Sequence, residues 1–150
     1  MTRRTQWLAL VLMLVIPQLS GCQKSSATKT EHANPAQVEK VDGSAMSRLT
    51  LSEDAMKRLD LKTGKVTDAP SPRKKEASQR AVPYGAVIYD PQGKTWVYTN
   101  PKPRTFIRQN IEVDYIDGDL AFLTEGPPAG TEVATVGVAE LYGTEFKVGH

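Results

Sequence analysis

The chain opens with Arg3 and Arg4, followed by an almost unbroken apolar run from Trp7 to Ile16. Such a run is too short for the roughly 20 residues of a membrane span. A charged start before a short apolar core reads as a secretory signal over residues 1–21. The pattern then changes. Residues 22–46 are rich in Gln, Lys, Ser, Thr and Asn, with almost nothing apolar and no period. This stretch cannot bury enough surface to offset the entropy of ordering, which predicts a flexible tether with a reach of about 25–30 Å. From Ser47 onward, β-prone runs alternate with turn residues, which predicts a folded domain over residues 47–143 and a short tail over 144–150.

Within that domain, Ser47 to Leu51 alternates as a strand, and Ser52 to Leu59 reads as a two-turn helix. Ser52 is its N-cap, Glu53 and Asp54 lie in the first turn, and Lys57 and Arg58 lie near the end, as the helix dipole favours. Leu61 to Val66 reads as a second strand, and residues 68–80 as a loop rich in Pro, Lys and Ser. Val82 to Tyr89 and Thr95 to Thr99 form a hairpin across Asp90-Pro91-Gln92-Gly93, with Pro second and Gly fourth in the turn. Thr105 to Tyr115 is a longer strand, joined to Leu120 to Leu123 through Asp117-Gly118, a strong hairpin signal. A rigid turn at Glu125 to Gly130 precedes a last strand, Glu132 to Val136, and one closing helical turn over residues 137–143. Six or seven short strands at tight spacing predict an all-β fold, a small antiparallel β-barrel or sandwich with one short helix.

Composition changes the picture in two places. The chain of 150 residues has room for one ordinary domain with tails, which excludes a large multidomain enzyme and a polytopic transporter. Its 19 basic and 17 acidic residues are nearly balanced, which argues against a nucleic-acid-binding surface. Removing residues 1–21 takes away Arg3 and Arg4, lowers the 19 basic residues by two to match the 17 acidic ones, and leaves a formally neutral chain. The single cysteine, Cys22, excludes an internal disulfide and the Cys-rich metal patterns. Cys22 directly follows Leu19, Ser20 and Gly21 at the end of the signal. These four residues resemble a bacterial lipobox, in which the cysteine is lipidated and becomes the new N-terminus. The resemblance implies firm anchoring through acyl chains, each buried CH2 contributing about 0.8 kcal/mol.

Candidate chemistry is sparse. His32 lies in the tether and His150 at the last position, and no metalloprotease, nucleophile-elbow or phosphate-loop motif occurs. No set of acid, base and nucleophile can be assembled, so the expectation is a non-enzyme with no cofactor. Asp114, Asp117 and Asp119 cluster near a hairpin tip but lack the glycine and distal glutamate of a calcium loop. Met46 and Met56 are the thioethers that a Cu(I) site would use. Trp96, Tyr98 and Phe106 read as barrel core or edge rather than a stacking platform. Arg73, Lys74 and Lys75, central in the 68–80 loop, are a possible partner or lipid-headgroup contact, or simply a solvated run.

The residues Val82-Pro83-Tyr84-Gly85-Ala86-Val87, Trp96-Val97-Tyr98, Phe106-Ile107-Arg108, Glu125 to Val133 and Gly137 to Leu141 recur in that order in one family. Together with Leu49 to Glu53 and Leu61 to Val66, they resemble the ends of bacterial periplasmic adaptors, the membrane fusion proteins of the HlyD/RND type. The resemblance spans most of residues 48–143 and implies the adaptors' membrane-proximal domain alone. The barrel, lipoyl domain and long helical hairpin of a full adaptor have only residues 67–81 in their place. Asp60 stands where the family usually has Gly. The implied function is a lipid-anchored, non-catalytic accessory module of an efflux or export system, docking on a membrane transporter or a full adaptor. The alternative is a periplasmic lipoprotein that binds a small ligand or copper. Gln23, after the lipidated position, favours the outer membrane, whereas the resemblance favours the inner one.

Overall fold

The computed structural model describes residues 34–73 and 77–148, which belong to one compact unit. The signal, the lipobox residues Leu19, Ser20, Gly21 and Cys22, and both histidines lie outside the described residues. The strands are β1 (Ala36–Lys40), β2 (Ser47–Leu51), β3 (Lys62–Lys65), β4 (Thr67–Pro70), β5 (Ser78–Pro83), β6 (Ile88–Tyr89), β7 (Thr95–Lys102), β8 (Thr105–Asp117), β9 (Leu120–Glu125) and β10 (Glu132–Val136). Two helices, α1 (Glu53–Arg58) and α2 (Val138–Phe146), and a 3₁₀ turn at Tyr84–Ala86 complete the set. Every strand pairing is antiparallel, and the fold is all-β with a curled, half-barrel sheet.

The sheet runs in the order β3-β10-β7-β8-β9-β5-β4, with the β1–β2 hairpin attached to β8. Its two ends are consecutive pieces of chain, because only Val66 separates β3 from β4. The Val66 N–H donates to the Thr131 carbonyl at 2.9 Å, and its own carbonyl accepts from Gly130 at 2.8 Å. One bent segment therefore serves both flanks of the sheet, which forces the strands between them to curl. β8 supplies the second bend. Its first half pairs with β2 and β7, its second half with β9, and bulges between Glu112 and Tyr115 turn it from one part to the other.

Inside the curl, Val66, Val82, Val97, Ile111, Leu123 and Val133 form one buried cluster. A second cluster lies where the helices cover the sheet: Leu49 and Leu51 from β2, Tyr98, Phe106, and Val138 and Leu141 from α2. Trp96, Tyr98 and Phe106 are all buried, and so is Val97 on the opposite face of β7. The turns also follow the sequence. The Asp90 carbonyl accepts from Gly93, and its Oδ1 accepts from the Gln92 and Lys94 N–H groups at 2.9 Å each. Ser52 caps α1 by accepting from the Ala55 N–H at 3.1 Å. Asp60 takes a φ of 46°, the left-handed conformation that ends the helix. Aspartate tolerates that conformation better than most residues.

Four expectations need correction. The tether does not extend to residue 46: Ala36–Lys40 is a strand, with Val38 opposite Leu49 and Ala36 opposite Leu51. One apolar residue at alternate positions suffices when a neighbouring strand supplies the apolar partner, and local composition does not reveal that. The loop over residues 68–80 is largely the β4–β5 hairpin, with Thr67 opposite Ala81 and Pro70 opposite Ser78. Pro70 is tolerated because it ends a strand at the sheet's margin. The closing turn is a nine-residue helix, a second helix beside the one expected. It runs through most of the supposed tail to a cap at Lys147 with φ 54°.

Leu141 is fully buried beneath α2. Its truncation to Ala should destabilise the domain by about 2–5 kcal/mol, read as a lower urea midpoint at an unchanged slope.

Candidate functional site

Arg73, the one basic residue of the Arg73-Lys74-Lys75 run that is described, is exposed and in contact with an aromatic ring. Its guanidinium lies over the Tyr115 ring, 4.1 Å from the centroid. Tyr115 in turn stacks on Phe122, with centroids 4.7 Å apart and planes 10° from parallel. The Tyr115 hydroxyl bonds Ser71 Oγ at 2.8 Å, and Gln79 Nε2 donates to Asp114 Oδ2 at 2.9 Å. Arg73 is thus engaged in tying the β4–β5 turn to β8; Lys74 and Lys75 lie outside the described residues. Asp114 is held by Gln79, and among the described residues no three His, Cys, Asp or Glu side chains come together as a metal site. Met56 packs against the helix-side core, and Met46 precedes β2.

The strongest electrostatic feature was not legible as a site. Arg108 sits at an inward position of β8, two residues after buried Phe106. Its side chain is 9% exposed and its partner, Glu145 on α2, only 3%. Arg108 Nε approaches Glu145 Oε2 to 3.1 Å, close enough for an ion pair, but its N–H is not aligned for a hydrogen bond. The same carboxylate oxygen accepts from the Tyr98 hydroxyl at 2.6 Å. Burial, and then that bond and the carboxylate charge, push the Tyr98 hydroxyl well above its usual range. The guanidinium is flanked by Trp96, whose ring centroid lies 4.2 Å away, and by Phe146 at 4.9 Å. These contacts give the charge a polarisable surround in place of water.

The Arg108–Glu145 pair fixes α2 on the sheet and so builds one wall of a groove. Val138, Leu141 and Glu145 face inward, while Ala139, Glu140, Gly143, Thr144 and Lys147 face the groove. The opposite wall is Leu51, Ala55, Arg58 and Leu59 from the end of β2 and α1, and Pro35, Ala36 and Val38 from the start of the described chain. The space is about 1190 Å³, open to solvent and mainly apolar. A smaller depression of about 300 Å³ lies beside it at the start of α2, around Gly85, Thr135 and Gly137.

Gly143 keeps the groove open. A Cβ there would meet only Val148, at 3.4 Å from its carbonyl oxygen, an ordinary contact. Its φ is not left-handed, so nothing in the backbone requires glycine. No family model, curated protein or solved structure matches this chain.

Two measurements check this site. Glu145→Ala leaves the Arg108 charge buried without its partner and should cost about 3–5 kcal/mol. The triple change Arg108→Met, Glu145→Leu and Tyr98→Phe, which leaves neither the charge nor the Tyr98 hydroxyl buried without a partner, should recover most of that loss in the same denaturant titration. Gly143→Ala should raise stability by about 0.5–1 kcal/mol, because Ala is the better helix residue and fits the space.

Proposed function

We propose that this chain is a lipid-anchored, non-catalytic docking module of an efflux or export system, held to the membrane through Cys22. The observation that supports this reading best is the open, mainly apolar groove beside α2. An apolar concavity left open among the described residues is a default candidate for an interaction site. The groove stands on rigid elements, and its wall includes Asn34 and Pro35, the first described residues. Cys22 lies twelve positions before Asn34, a separation that a chain can span over at most about 40 Å. Anchoring at Cys22 would hold the groove near the membrane surface and raise its effective concentration towards a membrane partner.

Among the described residues no helix is long and apolar enough to cross a membrane. The order of the adaptor-like motifs adds support, because those residues build the sheet that carries the groove. The partner in this reading is a membrane transporter or a full periplasmic adaptor.

The test is made in cells. Labelled palmitate should enter the wild-type chain and not Cys22→Ala, and the variant should move from the membrane fraction to the soluble one. A photo-crosslinking residue at Thr144, on the groove wall, should give an adduct that mass spectrometry identifies as a transporter or an adaptor. An unlabelled wild-type chain removes the anchor from the proposal. A groove that crosslinks to neither kind of protein removes the docking role.

A further inference from the structure

We infer that the groove takes an amphipathic α-helix of the partner whose apolar face is flanked by carboxylates; this rests on the docking role proposed above and specifies its chemistry. Three observations lead there. The first is length: the groove follows α2 from Ala139 to its end at Phe146, which at about 1.5 Å per residue is close to 11 Å, or two helical turns. A guest helix of that length presents three or four anchors at i, i+3, i+4 and i+7.

The second is depth. Ala139 and Gly143 stand one turn apart on the groove side of α2. With at most a methyl group at these two positions, the axis of a guest helix can come closer to α2 than bulkier side chains would permit. Across from them Leu59 is partly exposed above buried Leu51 and Ala55, and Val38 and Val148, 37% and 60% exposed, have apolar area still in water. An extended peptide would leave part of this width unfilled, and its backbone groups would face an apolar floor.

The third is charge. Arg58 and Lys147 both line the groove, and neither has a carboxylate partner among the described residues. Arg58 makes only a long contact of 3.5 Å from Nε to the Asp54 carbonyl. Glu140 is the one acidic side chain on the lining. Two cations against one anion favour a guest with acidic flanks, and steer its approach.

The experiment uses the full lipidated chain in nanodiscs of zwitterionic lipid, with empty nanodiscs as the control. The probes are two fluorescent synthetic helices of about 15 residues with the same Leu/Ala face, one flanked by Glu and the other by Lys. Anisotropy should show saturable binding of the Glu helix and about tenfold weaker binding of the Lys helix. Arg58→Glu with Lys147→Glu should reverse that preference. Gly143→Leu should abolish binding of both. Gly143→Ala, which leaves the fold intact, should weaken binding less than Gly143→Leu does. Equal binding of the two helices, no binding of either, or binding untouched by Gly143→Leu overturns the inference. So does a groove label at Thr144 that responds to anionic-lipid nanodiscs and not to the peptides, which would make the occupant a membrane surface. If the cellular crosslink to a transporter or adaptor forms while the Glu helix fails to bind, the docking role stands and the helical guest falls. Failure of both removes both.

Discussion

Everything on the helix-bearing side of this domain depends on one buried ion pair. Arg108 comes from the longest strand and Glu145 from the last helix, and Tyr98 on the neighbouring strand donates to the same carboxylate oxygen. Taking two charges out of water is costly, and such a pair contributes less to stability than apolar side chains of similar volume would. What it provides is a requirement. Any placement of α2 that separates Glu145 from Arg108 leaves two charges buried without partners. Leu141 and Val138 supply the apolar adhesion of the helix, and that adhesion alone would tolerate a shift of the helix along the sheet. The carboxylate fixes where along the sheet α2 sits.

Once α2 is fixed, the groove follows. The inward face of the helix is used up by Val138, Leu141 and Glu145, and its other face has small or polar residues that fill little of the space towards α1. The opposing wall is assembled from chain segments distant in sequence: the end of β2, α1, and the residues just before β1. The hydrogen bond from the Ser52 N–H to the Pro35 carbonyl, at 2.9 Å, joins two of them at the point where α1 is capped. The concavity is therefore a gap between well-anchored elements, and it does not rely on a loop to hold its shape.

How much of this was legible in the sequence depends on how local the determining physics is. The α1 cap, the Asp90 turn and the Asp117-Gly118 hairpin are decided within four or five residues, and all three occur as read. Trp96, Tyr98 and Phe106, read as barrel core or edge, are buried, and Val97 on the opposite face of β7 is buried as well. β1 was missed because its order comes from β2, through cross-strand neighbours that Val38 and Ala36 cannot signal alone. β4 was missed because Pro70 and its polar neighbours look like a loop until β5 is laid beside them. Arg108 did carry a signal, a cation at an inward position of a strand. Its partner lay in a segment read as a tail, so nothing in the local pattern identified the pair. Arg73 belonged to a run read as partner contact or solvated loop; the ring it covers is 42 residues further on.

The joint at Val66 also governs how the domain must come into being. β3 is one of the earlier strands, yet its ladder partner is β10, with Lys65 opposite Glu132. β2 likewise waits for β8, pairing Leu49 with Phe106. The two flanks differ: β4 pairs with β5 in a local hairpin, whereas β3 needs chain that comes much later. Long-range pairings of this kind slow folding, since the entropy of loop closure is lost before the contacts are gained. Without residues 132–136, β3 has no ladder partner, although β7, β8, β9, β5 and β4 already form a continuous sheet. The β3–β10 pairing thus joins distant parts of the chain and completes the curl.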